Sequence, residues 1–361
     1  MLVVDDTVIY RKIVSDLLAE MSEVEVVGVA HNGRIAISKI KALKPDLITL
    51  DIEMPEVNGL EVLEYLREFT PGTGAVMLST LTSKGGEMTM QALELGAFDF
   101  IPKPQSGTMA ENKKAVKDAL QPILKAFVNR KGIKNILSGV MKKGRVHGGG
   151  SDRIVRHACK RAGTRREKSE IIGIGISTGG PNALAAMMPG IPSNIDVPIL
   201  IVQHMPPIFT QSLAKSLNSR CAIEVREAVN GEFLTPGTAL IAPGGKQMKI
   251  VAGADGRRRV IKITDDPPEN SCKPSVDYLF RSIAHHYVGR ATGVIMTGMG
   301  SDGTTGLKLM KRNGAVIIAQ DEPSCIVYGM PKAPVEAGIA DIVAPLEKIA
   351  AEITRTVKNS C

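Results

Sequence analysis

Three residue types in the second half of the chain could together hydrolyse an ester or an amide. Ser177 lies in a Gly-x-Ser-x-Gly motif at residues 175–179, which typically places a serine on a sharp turn between a strand and a helix. His204 follows the apolar run at residues 197–202, and Asp302 lies in a glycine-rich segment. A hydroxyl nucleophile, an imidazole base and a carboxylate that orients the imidazole form a catalytic triad. We therefore predict acyl transfer at Ser177.

A second set of polar residues, in the first half of the chain, is suited to accepting a phosphoryl group. Clustered carboxylates repel one another, and a cation offsets that repulsion; oxygen ligands suit Mg²⁺. A lysine adds positive charge and a serine hydroxyl adds a hydrogen bond for phosphoryl oxygens. Each member follows a short apolar run, and the set comprises Asp5, Asp6, Asp51, Ser79 and Lys103.

Strands and helices in alternation must position both sets. The apolar runs of the first half lie at residues 3–4, 24–30, 47–50, 75–78 and 98–101. They alternate with helical spacing, clearest at Leu60-x-x-Leu63-x-x-Leu66. This alternation predicts an α/β fold with a doubly wound parallel sheet, whose ligands bind beyond the carboxyl ends of the strands. The second half repeats the pattern, so both sets of polar residues should converge at sheet edges.

The composition predicts two globular domains with aliphatic cores. A chain of 361 residues exceeds the size at which a single core usually stops growing. The hydrophobic fraction is 43%, but aromatic residues make up only 3% and Trp is absent. The core must therefore consist of Val, Ile, Leu, Ala and Met, which suits buried parallel sheets.

Cysteine usage and hydropathy predict a cytoplasmic protein without direct membrane insertion. No apolar run approaches the roughly 18 residues that cross a bilayer, and Asp5 and Asp6 stand where a signal peptide would be apolar. The five cysteines are odd in number, scattered and without a Cys-x-x-Cys pair. Neither a zinc site nor a disulfide framework is predicted.

The positive charge of the chain is concentrated in one segment. The net charge is +8, yet residues 129–168 alone contain 13 Lys or Arg against Asp152 and Glu167. Weak apolar periodicity and a glycine run at residues 148–150 predict a solvated interdomain linker over residues 109–168. Nucleic-acid binding is the alternative, and the lack of interleaved aromatics argues against it.

Each triad residue also has a structural interpretation. The Gly-x-Ser-x-Gly match is weak by itself in a chain with 36 glycines. Gly173-x-Gly175 could instead open a dinucleotide site, although the third glycine and a ribose-binding acid are missing. His204 could be a buried structural histidine, and Asp302 could cap the helix that follows it.

The first half resembles the receiver domain of two-component response regulators. The resemblance rests on Val3-Val4-Asp5-Asp6, on the segment at residues 50–59 and on Lys103-Pro104. It implies a flavodoxin-like receiver over residues 1–108 that takes its phosphoryl group from a histidine kinase. By the same resemblance, Asp51 is the phosphoacceptor and Ser79 and Lys103 contact the phosphoryl group. Its Mg²⁺ ligands are Asp6, Asp51 and a backbone carbonyl near Glu53.

The second half resembles the chemotaxis protein-glutamate methylesterase family, CheB. The matching motifs lie at residues 177–180, 203–205 and 297–303. The resemblance implies a Rossmann-like doubly wound catalytic domain over residues 169–361. Its expected reaction is hydrolysis of glutamyl methyl esters on chemoreceptors, with deamidation of some glutamines and no cofactor. Thr178 and Met299 are expected to contact the substrate or the oxyanion.

The order of the domains suggests regulation by phosphorylation. We expect the unphosphorylated receiver to cover the cleft at Ser177 and the acyl phosphate at Asp51 to favour an open arrangement. Two alternatives remain. One is a phosphorylation-dependent docking protein whose second domain has no turnover, and the other is a receiver with a DNA-binding output, which the α/β second half disfavours.

Overall fold

The computed structural model describes residues 1–104, 107–141, 154–156 and 167–358, without the side chains of residues 129–141 and 155. The chain divides into two compact units, Met1–Phe127 and Val128–Cys361. Most of the basic linker motifs, including the glycine run at residues 148–150, lie outside the described residues. Within the described ranges, no helix combines the length and apolar character needed to span a bilayer.

The first unit is a five-stranded parallel sheet with helices between the strands. Its elements are β1 (Leu2–Val4), α1 (Val8–Ala19), β2 (Gly28–Ala30), α2 (Gly33–Leu43), β3 (Leu47–Asp51), α3 (Gly59–Phe69), β4 (Gly74–Ser79), α4 (Ser83–Glu94), β5 (Asp99–Pro102) and α5 (Met109–Met141), of which the residues up to Phe127 belong to this unit. The strand order is β2-β1-β3-β4-β5, and all neighbours pair in parallel. All residues of β1 and β3 are buried, so these strands form the centre of the core, and ligands of such sheets bind beyond their carboxyl ends.

Helix α5 differs from the predicted solvated linker, which was expected to begin at residue 109. Val116 and Leu120 of this helix are buried, and the ring of Phe127 packs edge-on against Phe98 with 5.4 Å between centroids. Apolar residues at helical spacing indicate a helix face that covers a sheet. The first unit therefore extends well past the predicted boundary, because the basic residues nearby obscured an amphipathic pattern.

The second unit contains an eight-stranded sheet and a separate hairpin. Its elements are β6 (Val155–Arg156), β7 (Ile171–Ile176), α6 (Gly180–Met187), β8 (Ile199–Gln203), α7 (Phe209–Asn218), β9 (Glu224–Glu227), β10 (Thr238–Ile241), β11 (Gln247–Ala252), β12 (Arg259–Thr264), α8 (Val276–His286), β13 (Ala291–Ile295), α9 (Thr304–Arg312), β14 (Val316–Gln320), α10 (Lys332–Glu336), β15 (Ile342–Ala344) and α11 (Leu346–Lys358). The strand order is β6-β15-β14-β13-β7-β8-β10-β9. Strands β11 and β12 form the antiparallel hairpin.

Strand β6 is the one antiparallel member of the large sheet among the described strands. It pairs with β15, and Arg156 of β6 also donates to Glu352 of α11 across 2.8 Å. Because Glu352 is buried, this ion pair ties β6 to the second unit. Part of the segment predicted to be linker is thus an edge strand of the eight-stranded sheet.

Two glycines of β7 allow helix α8 to lie directly on the sheet. A Cβ at Gly173 would be 2.6 Å from Cδ1 of Ile283, and one at Gly175 would be 2.3 Å from Cγ1 of Val276. Both distances are too short for a side chain, so only glycine permits this packing. The Gly-x-Gly pattern that could have indicated a dinucleotide site has a packing role here.

Candidate active site and phosphoacceptor site

Neighbouring strand ends bring Ser177 and His204 to the same edge of the sheet. Strands β7 and β8 are parallel, with Ile176 paired to Gln203, the last residues of the two strands. The backbone N–H of His204 donates to the carbonyl of Ile176 across 3.1 Å. Ser177 and His204 therefore leave adjacent strands side by side.

A tight turn after Ser177 leads into helix α6. The carbonyl of Ser177 accepts hydrogen bonds from the backbone of Gly180 at 2.7 Å and from Nε2 of Gln203 at 3.0 Å. Gly179 has a φ of 72°, and a Cβ at Gly180 would lie 1.9 Å from Oε1 of Gln203. The turn thus requires glycine at both positions. It places the positive end of the α6 dipole next to Ser177, where negative charge on an acyl oxygen would be stabilised.

The segment after β13 forms the opposite side of the turn. The backbone carbonyl of Thr297 accepts a hydrogen bond from the backbone N–H of Ser177 at 3.0 Å. The side-chain hydroxyl of Thr297 donates to the carbonyl of Thr178, also at 3.0 Å. A Cβ at Gly298 would be 2.8 Å from Cβ of Ser177. The next residue, Met299, is 53% exposed. The predicted substrate contacts Thr178 and Met299 therefore flank Ser177.

His204 and Asp302 form a direct pair. Nε2 of His204 donates to Oδ2 of Asp302 across 2.8 Å, and Asp302 is only 4% exposed. Burial alone would lower the pKa of His204, but the hydrogen bonds with Asp302 and Cys272 outweigh it and raise the pKa to about 9. Because the carboxylate holds the proton on Nε2, the lone pair of the neutral imidazole lies on Nδ1.

Asp302 is held by the amino terminus of helix α8, not by the helix that follows it in sequence. The residue that caps α9 is Gly303. Although burial opposes ionisation, the His204 interaction and the other donors lower the pKa of Asp302 to about 2. The carboxylate oxygens accept hydrogen bonds from His204 Nε2, Asn270 Nδ2, Ser275 Oγ and the backbone of Val276, Asp277 and Gly303.

The structure adds one residue to the site that the sequence analysis missed. Sγ of Cys272 lies 3.7 Å from Nδ1 of His204, the ring nitrogen that does not contact Asp302. Ligand atoms of His204, Cys272 and Asp302 all lie within 4.8 Å of one another. The scattered cysteines carried no spacing signal for this contact, which depends on the loop that precedes α8.

In the first unit, Lys103 joins two buried carboxylates at the carboxyl edge of the sheet. Nζ of Lys103 lies 2.7 Å from Oδ2 of Asp51 and 2.8 Å from Oδ2 of Asp5. Asp51 is 2% exposed. Burial and then the neighbouring Asp5 raise the pKa of Asp51 to about 7, although Lys103 opposes this shift. Oxygen atoms of Asp5, Asp6 and Asp51 lie within 4.8 Å of one another, so Asp6 joins the two acids that Lys103 contacts.

Ser79 and Glu53 lie beside this cluster with other partners. Strand β4 pairs with β3, which places Ser79 one residue beyond the partner of Asp51. The buried Ser79 hydroxyl donates to the carbonyl of Gly85 at 3.2 Å and accepts from Oγ1 of Thr89 at 2.7 Å. The side chain of Glu53 accepts a hydrogen bond from the hydroxyl of Thr80 at 3.0 Å. The acid that clusters with Asp6 and Asp51 is Asp5.

Comparison with known proteins agrees with this arrangement. A family model described as CheB methylesterase matches residues 172–353, and one described as response regulator receiver domain matches residues 1–116. The chain belongs to the CheB methylesterase family. The family and the α/β fold class predicted from the sequence are confirmed. The roles of individual residues stay predictions.

Three relatives show the extent of the likeness to the CheB family. A protein-glutamate methylesterase/protein-glutamine glutaminase of Desulfotalea psychrophila is 59% identical over 99% of this chain and 98% of its own. The protein of the same name from Bacillus subtilis is 43% identical over the same shares. A crystal structure of the Thermotoga maritima CheB methylesterase catalytic domain is 39% identical with a TM-score of 0.50. It covers 52% of this chain and 99% of that one.

Proposed function

We propose that the chain is a phosphorylation-regulated protein-glutamate methylesterase that hydrolyses glutamyl methyl esters on chemoreceptors and deamidates selected glutamines. The names of its full-length relatives support the substrate class. The observation that carries the proposal is the 2.8 Å pair of His204 and Asp302 beside the turn that carries Ser177. A nucleophile, a base and an orienting acid therefore share one sheet edge.

In the proposed reaction, Ser177 Oγ attacks the carbonyl carbon of the ester while His204 accepts the hydroxyl proton. Nδ1 is the accepting nitrogen, because Asp302 holds the proton on Nε2 and stabilises the resulting imidazolium. The amino terminus of α6 stabilises the negative acyl oxygen. His204 then gives this proton to the departing methoxy oxygen, or to the amide nitrogen when the substrate is glutamine, so that methanol or ammonia leaves and the acyl group stays on Ser177.

Hydrolysis of the acyl-enzyme by water completes the cycle, and His204 again acts first as a base and then as an acid. His204 removes a proton from water, the hydroxide attacks the acyl carbon, and the proton returns to Ser177 Oγ as glutamate is released. The reaction needs no redox partner, because bonds are exchanged without change of oxidation state. We propose that Thr178 and Met299 contact the receptor segment, since both flank Ser177.

Methanol release from methylated receptor tests these roles. We expect Ser177→Ala, His204→Gln and Asp302→Ala each to lose most activity, because each removes one function of the triad. Since Cys272 also lies near His204, Cys272→Ala must be compared in the same assay. Near-normal turnover by Ser177→Ala would refute a serine acyl-enzyme. A non-catalytic docking module would leave Ser177 unreactive toward an organofluorophosphonate.

We propose that Asp51 accepts the phosphoryl group from a histidine kinase. Lys103, which already contacts Asp51, neutralises the phosphoryl charge, and Ser79 supplies a hydroxyl after it exchanges its present partners. The acidic cluster fits Mg²⁺, because its donors are oxygens and its negative charge exceeds that of one lysine. Asp6, Asp51 and a backbone carbonyl at Glu53 would hold this ion, with Asp5 behind them. When bound, Mg²⁺ neutralises charge on the transferring phosphoryl group.

Regulation follows if phosphorylation at Asp51 raises the esterase rate. We expect Asp51→Asn to retain the basal rate of methanol release and to lose the response to a small phosphodonor. A fragment without the receiver should be more active than the unphosphorylated full chain. The fragment should begin before Val155, because β6 belongs to the catalytic sheet. Equal basal rates for the fragment and the full chain would contradict repression by the receiver.

A further inference from the structure

We propose that His204 and Cys272 form a binding site for a thiophilic divalent cation such as Zn²⁺, and that the bound ion blocks the esterase. The binding part of this proposal stands on the geometry of the two side chains. The inhibitory part rests on the proposed function, because it requires His204 to act as the base. Nothing in the proposed reaction uses the thiol of Cys272.

The separation of the two ligand atoms fits one tetrahedral zinc ion. Sγ of Cys272 and Nδ1 of His204 are 3.7 Å apart. Zinc bonds of about 2.1 Å to nitrogen and about 2.3 Å to sulfur, at a tetrahedral angle, separate the two atoms by about 3.6 Å. The separation of the two atoms therefore matches that of two ligands sharing one zinc ion.

The imidazole is already oriented as in a metal-binding histidine. Histidine ligands of zinc usually donate their other ring N–H to a carboxylate, which fixes the tautomer and makes the free nitrogen more basic. Asp302 provides this contact at Nε2 and keeps its own charge through six hydrogen bonds. Nδ1 is thus the ring nitrogen left to bind an ion, and it lies 3.7 Å from Sγ of Cys272.

The loop before α8 holds Cys272 in place. Its carbonyl accepts from Nε2 of Gln247 at 3.3 Å, and its backbone pairs with that of Glu269 at 2.8 and 3.1 Å. Asn270 and Ser271, which precede it, have φ values of 52° and 61°, a conformation that costs energy outside glycine. Since the residue is only half-buried, an ion from solvent can reach the thiol.

The two acid-containing clusters of the described residues should select different ions. The receiver cluster of Asp5, Asp6 and Asp51 offers oxygen atoms alone, which suit Mg²⁺. The cluster of His204 and Cys272 offers nitrogen and sulfur, which favour Zn²⁺ and other thiophilic ions over Mg²⁺. The same protein can therefore require Mg²⁺ for phosphorylation while Zn²⁺ inhibits its esterase.

Inhibition follows from the identity of the coordinated nitrogen. A zinc ion at Nδ1 occupies the lone pair that must accept the proton of Ser177 Oγ. No proton transfer and no acyl-enzyme formation can occur until the ion leaves. The inhibition should be reversible, because two protein ligands hold zinc more weakly than the four of a structural site.

The test measures zinc binding and methanol release on the full chain, without a phosphodonor. Zinc binding is measured by competition between the protein and a chromogenic chelator. The rate of methanol release by each variant with Zn²⁺ is expressed relative to the rate of the same variant without metal. We expect Zn²⁺ to inhibit the wild type and EDTA to restore the rate. Mg²⁺ at the same concentration should not inhibit. Cys272→Ser and Cys272→Ala should need at least about tenfold more Zn²⁺ for half-inhibition, since a direct ligand is lost.

Cys221→Ser is the matched control, because it removes another half-buried thiol of the same unit. It should keep the wild-type response to Zn²⁺. Equal half-inhibition in the wild type and both Cys272 variants would overturn the proposal, as would equal zinc binding by His204→Gln and the wild type. If the metal-free wild type releases no methanol, the proposed function fails, and the chelator competition still decides whether the metal site exists.

Discussion

The pH dependence of the esterase should reveal the unusual environment of His204. The pKa of this imidazole rises from 6.5 to about 9. Burial alone would lower the pKa, but the hydrogen bonds with Asp302 and Cys272 raise it by more. The facing groups are Asp302, which stays ionised, and Cys272. A protonated imidazole cannot accept the proton of Ser177. The rate should therefore fall as the pH drops below about 9.

The size of this effect follows from the neutral fraction of His204. With a pKa of about 9, roughly 1% of the imidazole is neutral at pH 7 and about half is neutral at pH 9. The value of kcat/KM should therefore rise about fiftyfold between these pH values. The assay is methanol release from methylated receptor by the full chain. Parallel reactions with Ser177→Ala provide the rate of uncatalysed alkaline hydrolysis to subtract.

A Cys272→Ala variant probes the cause of the shift. It removes one of the two partners that raise the pKa of His204, so the midpoint of its pH–rate curve should lie below that of the wild type. Retention of the Asp302 hydrogen bond should keep this midpoint above the ordinary value of 6.5. A wild-type midpoint near 6.5, or identical midpoints for both proteins, would refute the reasoning.

Three further substitutions have effects that the structure predicts. Asp302→Asn should lower the methanol-release rate on the order of 10⁴-fold, because an amide cannot hold the same tautomer of the imidazole. Gly298→Ala should lower the same rate strongly, because its Cβ would come within 2.8 Å of Cβ of Ser177 and displace the nucleophile. Lys103→Ala should lower the free energy of unfolding in urea by about 3 kcal/mol, because it leaves Asp51 buried beside another carboxylate without its cation.

Controls separate these effects from general loss of structure. Gly72→Ala adds a Cβ that meets nothing within 4 Å and should leave both activity and unfolding unchanged. Asp302→Asn must keep the wild-type circular dichroism spectrum for its rate to be informative. Full activity in Gly298→Ala would contradict the close contact with Ser177. Unchanged urea unfolding in Lys103→Ala would contradict a stabilising role of the lysine between the two acids.

The sequence also contained a signal for helix α5 that its charge obscured. Val116, Leu120 and Ile123 are buried and follow the spacing of one helix face. The basic residues downstream favoured a solvated linker, yet the apolar face of the helix packs within the first unit. Local charge was a poor guide here because it describes only the exposed face of an amphipathic helix.

The fold class and the residues that end the buried strands follow from the order of apolar and polar residues in the chain. Apolar runs identify parallel strands, and their carboxyl ends must meet at one edge, so Ser177, His204 and Asp51 could be selected before any coordinates. The surroundings of these residues, in contrast, could be known only from the folded structure. Cys272 reaches His204 through a loop 68 residues away in sequence, and the amino terminus of α8 holds the carboxylate beside it. Such contacts depend on loop conformation and helix packing, and neither leaves a periodic pattern in the chain.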